Sequence, residues 1–556
     1  MPVINFTYDE LYKHVGQEIP KDELINMLPM ISSDVESYDD ENVKVEFFPN
    51  RPDYYSIEGV ARAIKGYIGL EKGIPEYNVK KTDNIITVDP QLKSIRPYVG
   101  CCIVKNISIN DELLKNIMDF QENLHWVIGR DRKKIAIGIH DVDKVKSPFY
   151  YNAGIPDDVE FIALDSDKLQ NLDEILEGHD KGKSYAQLID CYDKYPLIVD
   201  GNGDVMSMPP IINSEKTKLT TDTHNIFIDV TGTDLDAVNN AVNIIATSFA
   251  EDGGEIETVT VDYGDEKIVY PDLTPITKIV HLKTAEELIG IDLTSDEIIK
   301  MLERVRFNAE KINDDEILVT IPKYRIDILH EVDIIENIAI GYGFNSLPSE
   351  FPKVATIAKQ DNQREFEDIV SQIMIGLGFT QIMSLMLTNE EAHFTKLRKN
   401  IEKDIITVAQ PISNDRTMIR KSLVNGLLEF LNNNKHENLP QKIFEVGDTG
   451  YLDTSKETGI KNIKKLAAAV VDSTANFTQI KSIVDSFCTN MGFKMEVVNG
   501  ENSIFIPGRA ADFTVKPLDE KLNFSFKGFF GEVNPEVITN FDMEYPIVLF
   551  EIEFLL

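Results

Sequence analysis

The 556-residue sequence has little cysteine, a single tryptophan and no long apolar run. Four cysteines without any CxxC pair exclude a disulfide framework and do not suit a thiolate zinc site. We interpret them as small buried hydrophobic residues of a chain in a reducing compartment. No apolar run approaches the roughly 20 residues that cross a bilayer, and the first residues lack signal-peptide character. We therefore expect a cytoplasmic protein with no membrane partner.

Positive charge is also scarce. The chain has 56 Lys and Arg against 93 Asp and Glu, which gives a formal net charge of −37. Such a surface repels phosphate, so the chain is not a simple basic nucleic-acid binder, and any RNA contact needs a local pocket or a partner's positive surface. GxxxxGKS/T, GxGxxG and HExxH motifs are all absent. ATP chemistry therefore has no recognisable phosphate cradle in this chain.

The composition and the hydrophobic patterns predict several packed α+β domains. Hydrophobic residues make up 42% and charged residues 27%, which is typical of globular domains, and the length suggests about three or four of them. Strand-like alternation at 43–48, helical periodicity from Ser56 onward and again at 364–379, and Gly or Pro breaks place the boundaries. The last domain is expected to be an antiparallel sheet flanked by helices, and the third to contain two helices, a hairpin and a further helix. The predicted domains are 1–75, 85–268, 270–346 and 360–556.

Capping residues and periodicity predict where several elements begin and end. Two capping boxes are expected to begin short helices. A third helix is expected to begin near Asp327 and to end near Gly341. The segment 443–452 is expected to contain a strand and a turn. The expected capping residues are Thr284 with Glu287, Thr294 with Glu297, and Thr233 for the helix at 234–250.

An acidic cluster lies on the predicted helix that starts near Asp327. Asp333 and Glu336 are three residues apart and share a helical face, and Asp327 can fold toward it. Three carboxylates with water suit a hard cation such as Mg²⁺. In so acidic a chain the same spacing also fits an ordinary solvated face.

A second cluster combines Ser207 and the segment after it with Asp229 and Thr231. Short hydrogen-bonding side chains at strand ends suit recognition of a small polar ligand, although turns and caps use the same residues. No Ser–His–Asp order is evident, although His140 and His224 are nearby in sequence. The densest basic stretch, 128–134, can contact phosphate or form a solvated turn.

Six motifs in order resemble one protein family. The chain is similar over essentially its whole length to β subunits of phenylalanyl-tRNA synthetase of the archaeal and eukaryotic type. The segments that carry the resemblance are 50–64, 129–141, 207–218, 227–234, 324–344 and 419–430.

The resemblance implies an α₂β₂ ligase that joins phenylalanine to tRNA(Phe) with ATP and Mg²⁺, with the synthetic site in the α subunit. It implies that 85–268 is an editing domain that hydrolyses tyrosine wrongly attached to the tRNA. By motif match, Ser207, Asp229 and Thr231 fall at editing-pocket positions. The family's metal motif falls on Asp327, Asp333, Glu336 and Asn337, where Asn337 replaces a fourth acidic residue.

The resemblance further implies that 360–556 has a class II synthetase fold without synthetic activity. A working class II site needs arginines that hold the triphosphate, and the segments 443–452 and 551–556 supply none. Two other functions stay open: a scaffold for α subunits that has lost editing, and a free-standing editing hydrolase. A free-standing hydrolase has no use for a class II-like domain, which argues against that alternative.

Overall fold

The computed structural model describes residues 2–351, 354, 356–520, 522 and 524–555. The chain divides into two compact units, Met1–Phe351 and Pro352–Leu556, and each is described by itself. Both units mix helices and sheets, as the α+β composition predicts. Throughout the described residues, no helix combines the length and the apolar character that crossing a membrane requires.

The N-terminal part of the first unit is a three-stranded antiparallel sheet, in the order β1-β3-β2, with helices packed on it. Val43, Val45 and Phe47 alternate into its core, as the pattern predicts. Ser56 caps the last helix by accepting from the Gly59 N–H. The elements are β1 (Val3–Thr7), α1 (Tyr8–Val15), α2 (Lys21–Met27), β2 (Ser33–Tyr38), β3 (Asn42–Phe47) and α3 (Ile57–Tyr67).

The next segment folds around an eleven-stranded sheet whose main order is β13-β12-β11-β8-β5-β15-β6-β14-β7. Its elements are β4 (Val79–Lys80), β5 (Ile85–Val88), β6 (Tyr98–Lys105), α4 (Asp111–Val127), β7 (Ile135–Asp141), β8 (Phe149–Gly154), β9 (Glu160–Ile162), β10 (Leu169–Asn171), α5 (Leu172–Gly178), α6 (Asp180–Tyr185), β11 (Tyr195–Val199), β12 (Val205–Met208), β13 (Ile212–Asn213), β14 (Ile226–Gly232), α7 (Leu235–Glu251), β15 (Glu255–Asp262) and β16 (Lys267–Tyr270). Strand β14 is buried along its whole length and pairs antiparallel with β6 and β7.

The last part of the first unit is a three-stranded antiparallel sheet, β17-β19-β18, with three helices. The predicted hairpin is present, and strand β17 was not predicted. The elements are β17 (Ile276–His281), α8 (Leu282–Ile289), α9 (Ser295–Arg304), β18 (Asn308–Lys311), β19 (Glu316–Ile321) and α10 (Glu331–Tyr342).

Helix starts were predicted with mixed success. The capping box of Thr294 and Glu297 is confirmed, with reciprocal hydrogen bonds. The box at Thr284 is wrong, because α8 begins at Leu282. The start near Asp327 is also wrong, because α10 begins at Glu331. Asp333, the third residue of α10, accepts from the N–H of His330 and forms a capping box with it. Helix α7 is capped by Asp234, whose Oδ1 accepts from the Ala237 N–H at 2.8 Å, and not by Thr233.

The second unit is a seven-stranded sheet, β20-β23-β24-β28-β27-β26-β25, antiparallel apart from the β20–β23 pair. Successive residues of β24 enter separate cores on its two faces, with α11 and α13 on one and α12 and α14 on the other. The turn expected within 443–452 is wrong, because β23 runs through it. The elements are α11 (Asn362–Gly376), β20 (Thr380–Gln381), β21 (Leu387–Thr388), β22 (Met418–Ile419), α12 (Val424–Asn433), β23 (Gln441–Leu452), β24 (Ile460–Val471), α13 (Phe477–Asn490), β25 (Phe493–Asn499), β26 (Phe505–Pro517), β27 (Ser525–Val533), α14 (Pro535–Asn540) and β28 (Ile547–Leu555).

Candidate active site

A cavity of 730 Å³ opens in the first unit between α4, the strands β7 and β14, and the chain that follows β12. Ser207 and Asp229, two of the three predicted pocket residues, line it. Apolar side chains of α4 and of β7 supply much of the remaining wall. A small aromatic or aliphatic ligand with a few polar groups fits such a site.

Ser207 provides a buried hydroxyl group that no neighbour uses. The residue is 2% exposed, and its Oγ has no hydrogen-bond partner among the described residues. Leaving a buried hydroxyl unpaired costs roughly 1–3 kcal/mol. Because the residue also lines the cavity, a ligand's polar group can recover that energy.

Asp229 presents a buried carboxylate to the cavity from the middle of β14. Its Oδ1 lies 2.9 Å from Nε2 of His140, and Nδ1 of that ring lies 2.7 Å from Oγ1 of Thr217. Thr217 also lines the cavity. The carboxylate of Asp229 and the hydroxyl of Thr217 are therefore joined through one buried imidazole.

Gly138 makes room for this arrangement. It lies directly opposite Asp229 in the β7–β14 register. A Cβ atom at this position would lie 2.4 Å from Oδ1 of Asp229 and 2.7 Å from Nε2 of His140. Any side chain larger than glycine's would displace the hydrogen bond between them.

Thr231, the third predicted pocket residue, is not part of the cavity wall. It is two residues along β14 from Asp229 and so points to the same side of the strand. However, its Oγ1 accepts from Nε of Arg96 at 3.0 Å, and its carbonyl accepts from a second guanidinium nitrogen at 2.8 Å. Burial lowers the pKa of Arg96 to about 10. Thr231 thus fixes a buried arginine behind the cavity.

The basic stretch at 128–134 sends one guanidinium inward. Arg132 donates to the carbonyls of Pro210 and Ile211, at 3.2 and 2.8 Å, and pairs with Glu122 at 2.7 Å. Its guanidinium also lies over the ring of Tyr185. Arg132 therefore holds the segment after Ser207 in place, and neither role left open for this stretch, a phosphate contact or a solvated turn, describes it.

Three of the four predicted metal residues are engaged with protein groups. Both carboxylate oxygens of Asp327 accept from Arg325, at 2.8 and 2.7 Å, and Arg325 also donates to Oδ1 of Asn337 at 2.9 Å. Oδ2 of Asp333 accepts from two backbone N–H groups at the start of α10. Glu336 is exposed.

This donor set does not fit a metal ion as it stands. A guanidinium already balances the charge of Asp327, and backbone N–H groups occupy Asp333. In the described part of the chain, His14, Glu58 and Asp252 form the one group of three or more His, Cys, Asp or Glu residues whose ligand atoms lie within 4.8 Å of one another. The predicted Mg²⁺ ligands are not such a group.

The second unit contains buried ion pairs in the region expected to lack an ATP site. Arg420 pairs with Glu445 at 2.7 Å, and Lys465 pairs with Glu551 at 3.3 Å. Ser384 donates to Glu445, and Ser422 donates to Glu551. Each buried acid is therefore satisfied by a cation and a hydroxyl of the same unit.

Sequence reasoning missed the roles of His140, Thr217 and Gly138. A histidine and a glycine alternating on β7 opposite an aspartate of β14 can be recognised only once the strand register is known. Thr217 reaches the ring from 77 residues further along the chain. No local spacing reports either contact.

Comparison with known proteins identifies the class of chain. Three family models match: "Phenylalanyl tRNA synthetase beta chain CLM domain" at 347–554, "tRNA synthetase B5 domain" at 279–344 and "B3/4 domain" at 106–248. These models place the chain among the subunits of aminoacyl-tRNA synthetases.

Curated relatives and a solved structure are more specific. The chain is 64% identical to the phenylalanine–tRNA ligase β subunit of Methanosphaera stadtmanae, over 100% of this chain and 99% of that protein. It is 42% identical to the β subunit of Methanocaldococcus jannaschii over 100% of both. A solved N-terminal fragment of the phenylalanyl-tRNA synthetase β-subunit from Pyrococcus horikoshii matches with a TM-score of 0.60 and 39% identity, over 61% of this chain and 99% of that one. The chain belongs to the family of phenylalanine–tRNA ligase β subunits.

Proposed function

We propose that this chain hydrolyses tyrosine wrongly attached to tRNA(Phe), as the β subunit of a phenylalanine–tRNA ligase whose synthetic site lies in the α subunit. The observation that carries the proposal is the unpaired, buried Oγ of Ser207 in the same cavity as the carboxylate of Asp229. The segment 85–268, which contains the cavity, would then be the editing domain.

The chemistry of selection supports a polar second pocket. Phenylalanine and tyrosine differ by one hydroxyl, and a hydrophobic synthetic pocket cannot strongly reject an analogue that merely adds a hydroxyl. A pocket whose buried polar groups need a hydrogen-bond partner favours the ligand that supplies one, because the other ligand leaves them unpaired. Ser207, whose buried Oγ has no partner among the described residues, is a group of that kind.

The proposed reaction is the hydrolysis of the ester that joins tyrosine to the tRNA. The oxygen of a water molecule attacks the carbonyl carbon, and the bond from that carbon to the terminal ribose oxygen breaks. The ribose oxygen leaves with one proton of the water, the other proton is released to solvent, and free tyrosine leaves as its carboxylate. A buried carboxylate can orient the water or accept its proton.

Assembly with the α subunit as α₂β₂ completes the proposal, and ATP and phenylalanine would bind through α. On helix α11, Val370 is buried in the core of its own unit and so does not face a partner. Exposed apolar side chains elsewhere in the second unit support a protein partner instead, among them Met383 at 91% exposure, Leu385 and Ile412. In the cytoplasm, the partner would also supply the positive surface for tRNA.

The finer assignments belong to the same proposal. The boundaries 1–75, 85–268, 270–346 and 360–556 stay predictions, as does the class II synthetase character of the last segment. Mg²⁺ at Asp327, Asp333, Glu336 and Asn337 stays a prediction that the contacts of Arg325 with Asp327 and Asn337 do not favour. No step of the hydrolysis depends on it.

The proposal is tested with the purified α–β complex and tRNA(Phe) charged with tyrosine. Asp229→Ala and Ser207→Ala should each slow deacylation, Asp229→Ala by on the order of 100-fold or more, while phenylalanine attachment is unchanged. Ser184→Ala, an exposed serine of the same segment, is the matched control. A parent complex that charges phenylalanine but leaves tyrosyl-tRNA intact would contradict editing and favour the scaffold alternative.

A further inference from the structure

The imidazole of His140 lies behind the cavity wall and contacts two residues that form it. The side chain is fully buried and does not line the cavity, whereas its two partners, Asp229 and Thr217, both do. The structure thus separates a residue that acts on the wall from the residues that can touch a ligand.

The hydrogen bonds define which nitrogen of the ring faces each partner. The carboxylate of Asp229 only accepts, so Nε2 of His140 carries the proton and donates to Oδ1 at 2.9 Å. Nδ1 lies 2.7 Å from Oγ1 of Thr217, within hydrogen-bond distance. The ring also packs near the side chain of Phe227, its partner in the register of the two strands.

This bond constrains the orientation of the aspartate. His140 is the hydrogen-bonding partner of the Asp229 side chain in the described part of the chain. With Oδ1 held by His140, Oδ2 is the carboxylate oxygen left free to meet a reacting group. A small misplacement of a reacting group can cost on the order of 100-fold in rate. Gly138 leaves the gap through which the imidazole reaches Oδ1.

We propose that His140 is a positioning residue of the hydrolytic site: it fixes the Asp229 carboxylate and couples it to the Thr217 hydroxyl without touching the substrate. The inference rests on the proposed function. The coupling predicts that losing His140 lowers the turnover of tyrosyl-tRNA and leaves its KM little changed, since no ligand contact is removed.

The test uses the whole α–β complex with four variants: His140→Ala, His140→Gln, Asp229→Ala and the double variant with both alanines. His140→Ala should lower kcat for deacylation by about 10- to 100-fold, the worth of a hydrogen bond to a charged group. His140→Gln should recover most of that loss, because its amide can donate to Asp229 and accept from Thr217. His224→Ala is the matched control, an exposed histidine of the same segment.

The double variant distinguishes positioning from a general structural effect. If His140 acts through Asp229, adding His140→Ala to Asp229→Ala should change kcat by less than about threefold. An equal loss in both backgrounds, no rescue by glutamine, or an unchanged His140→Ala enzyme would overturn the inference while editing itself stands. Phenylalanine attachment and thermal unfolding report whether the complex stays folded. A parent complex with no deacylation would overturn both the inference and the proposed function.

Discussion

Glu58 is a carboxylic acid almost removed from water at the contact between α3 and the end of α7. It is 5% exposed, and a hydroxyl of Ser248 donates to its Oε2 at 3.1 Å. Among the ion pairs of the described residues, none joins it to a lysine or arginine, and Asp252 nearby pairs with His14 at 3.2 Å. Burial, with the like charge of Asp252, raises the pKa of Glu58 to about 7.

This shift predicts how stability depends on pH. The native state holds the proton of Glu58 up to about pH 7, whereas the unfolded state loses it near 4.5, so the free energy of unfolding falls between these values as pH rises. Glu58→Gln removes the charge. The variant should gain about 2–3 kcal/mol over the parent at pH 8 and almost nothing at pH 4.

Urea unfolding at the two pH values measures this difference. Glu36→Gln, an exposed glutamate of the same unit, is the control and should follow the parent at both. A Glu58→Gln variant that is less stable than the parent at pH 8 would show that the ionised carboxylate is favourably solvated or paired.

The types of residue in the site could be predicted from the sequence, but the contacts that complete the site could not. Ser207 and Asp229 were expected in a pocket, and the structure places both at the cavity. Thr231 has the right strand parity, yet Arg96, distant in sequence, accounts for its hydroxyl. Contacts between residues that are distant in sequence depend on the tertiary fold. Neither the contact of Arg96 with Thr231 nor that of Thr217 with His140 could therefore be predicted from local spacing.

At the scale of elements, two short R-x-D motifs form ion pairs, one in the chain before α3 and one in the chain before α10. Arg51 and Asp53 form a two-point pair at 2.9 and 2.8 Å, and Arg325 and Asp327 form a second one. Although burial opposes it, Arg325 lowers the pKa of Asp327, and Arg51 adds to this. The acids of these motifs therefore balance buried arginines.

These ion pairs predict that Mg²⁺ has little effect on the stability of the chain. They also predict that loss of the pair between Arg325 and Asp327 lowers that stability strongly. Millimolar Mg²⁺ should leave the Tm of the chain unchanged. Asp327→Asn should lower stability by about 3–5 kcal/mol, since Arg325 is buried and loses its counter-charge. Thermal unfolding with and without Mg²⁺ measures both.

Glu336→Gln serves as the comparison, because this side chain is exposed and outside the ion pair. It should unfold like the parent under both conditions. A Tm that rises with Mg²⁺ in the parent but not in Glu336→Gln would instead establish the metal site that the family resemblance implies.

Periodicity identified the helices and strands better than it located their ends. The alternation in β3 and the helical repeats of α3 and α11 were sufficient. The start of α10 was placed too early, because the backbone N–H groups of Leu329 and His330 find their acceptor in Asp333, beyond the acid that had been expected to begin the helix. Strand β17 ends without a turn signal, since α8 follows it directly.

At the scale of the whole molecule, the chain combines a large negative charge with a second unit whose buried cations are already paired. The guanidinium of Arg420 is held by Glu445, and the ammonium of Lys465 by Glu551. Arg509, another cation of this unit, pairs with Glu532 at 2.5 Å. A triphosphate needs free arginines in a fixed arrangement, and these cations are not free.

We therefore expect the separately purified chain neither to bind ATP nor to form phenylalanyl-adenylate. Equilibrium dialysis with labelled ATP and pyrophosphate exchange measure the two properties, and the α–β complex is the positive control. Exchange by this chain that persists after every trace of α is removed would contradict the assignment of synthesis to α.

The paired acids of the second unit also bear on whether this unit could acquire a nucleotide site by substitution. Freeing Arg420 for a phosphate requires the loss of Glu445, but a buried arginine without its partner costs about 3–5 kcal/mol, a large part of a domain's stability. Glu445 also accepts from Ser384, so the same substitution leaves a second polar group to be satisfied. A lineage that started from this sequence would have to pass through destabilised intermediates before any gain in nucleotide affinity appeared. The ion pairs therefore oppose the acquisition of a nucleotide site by this unit.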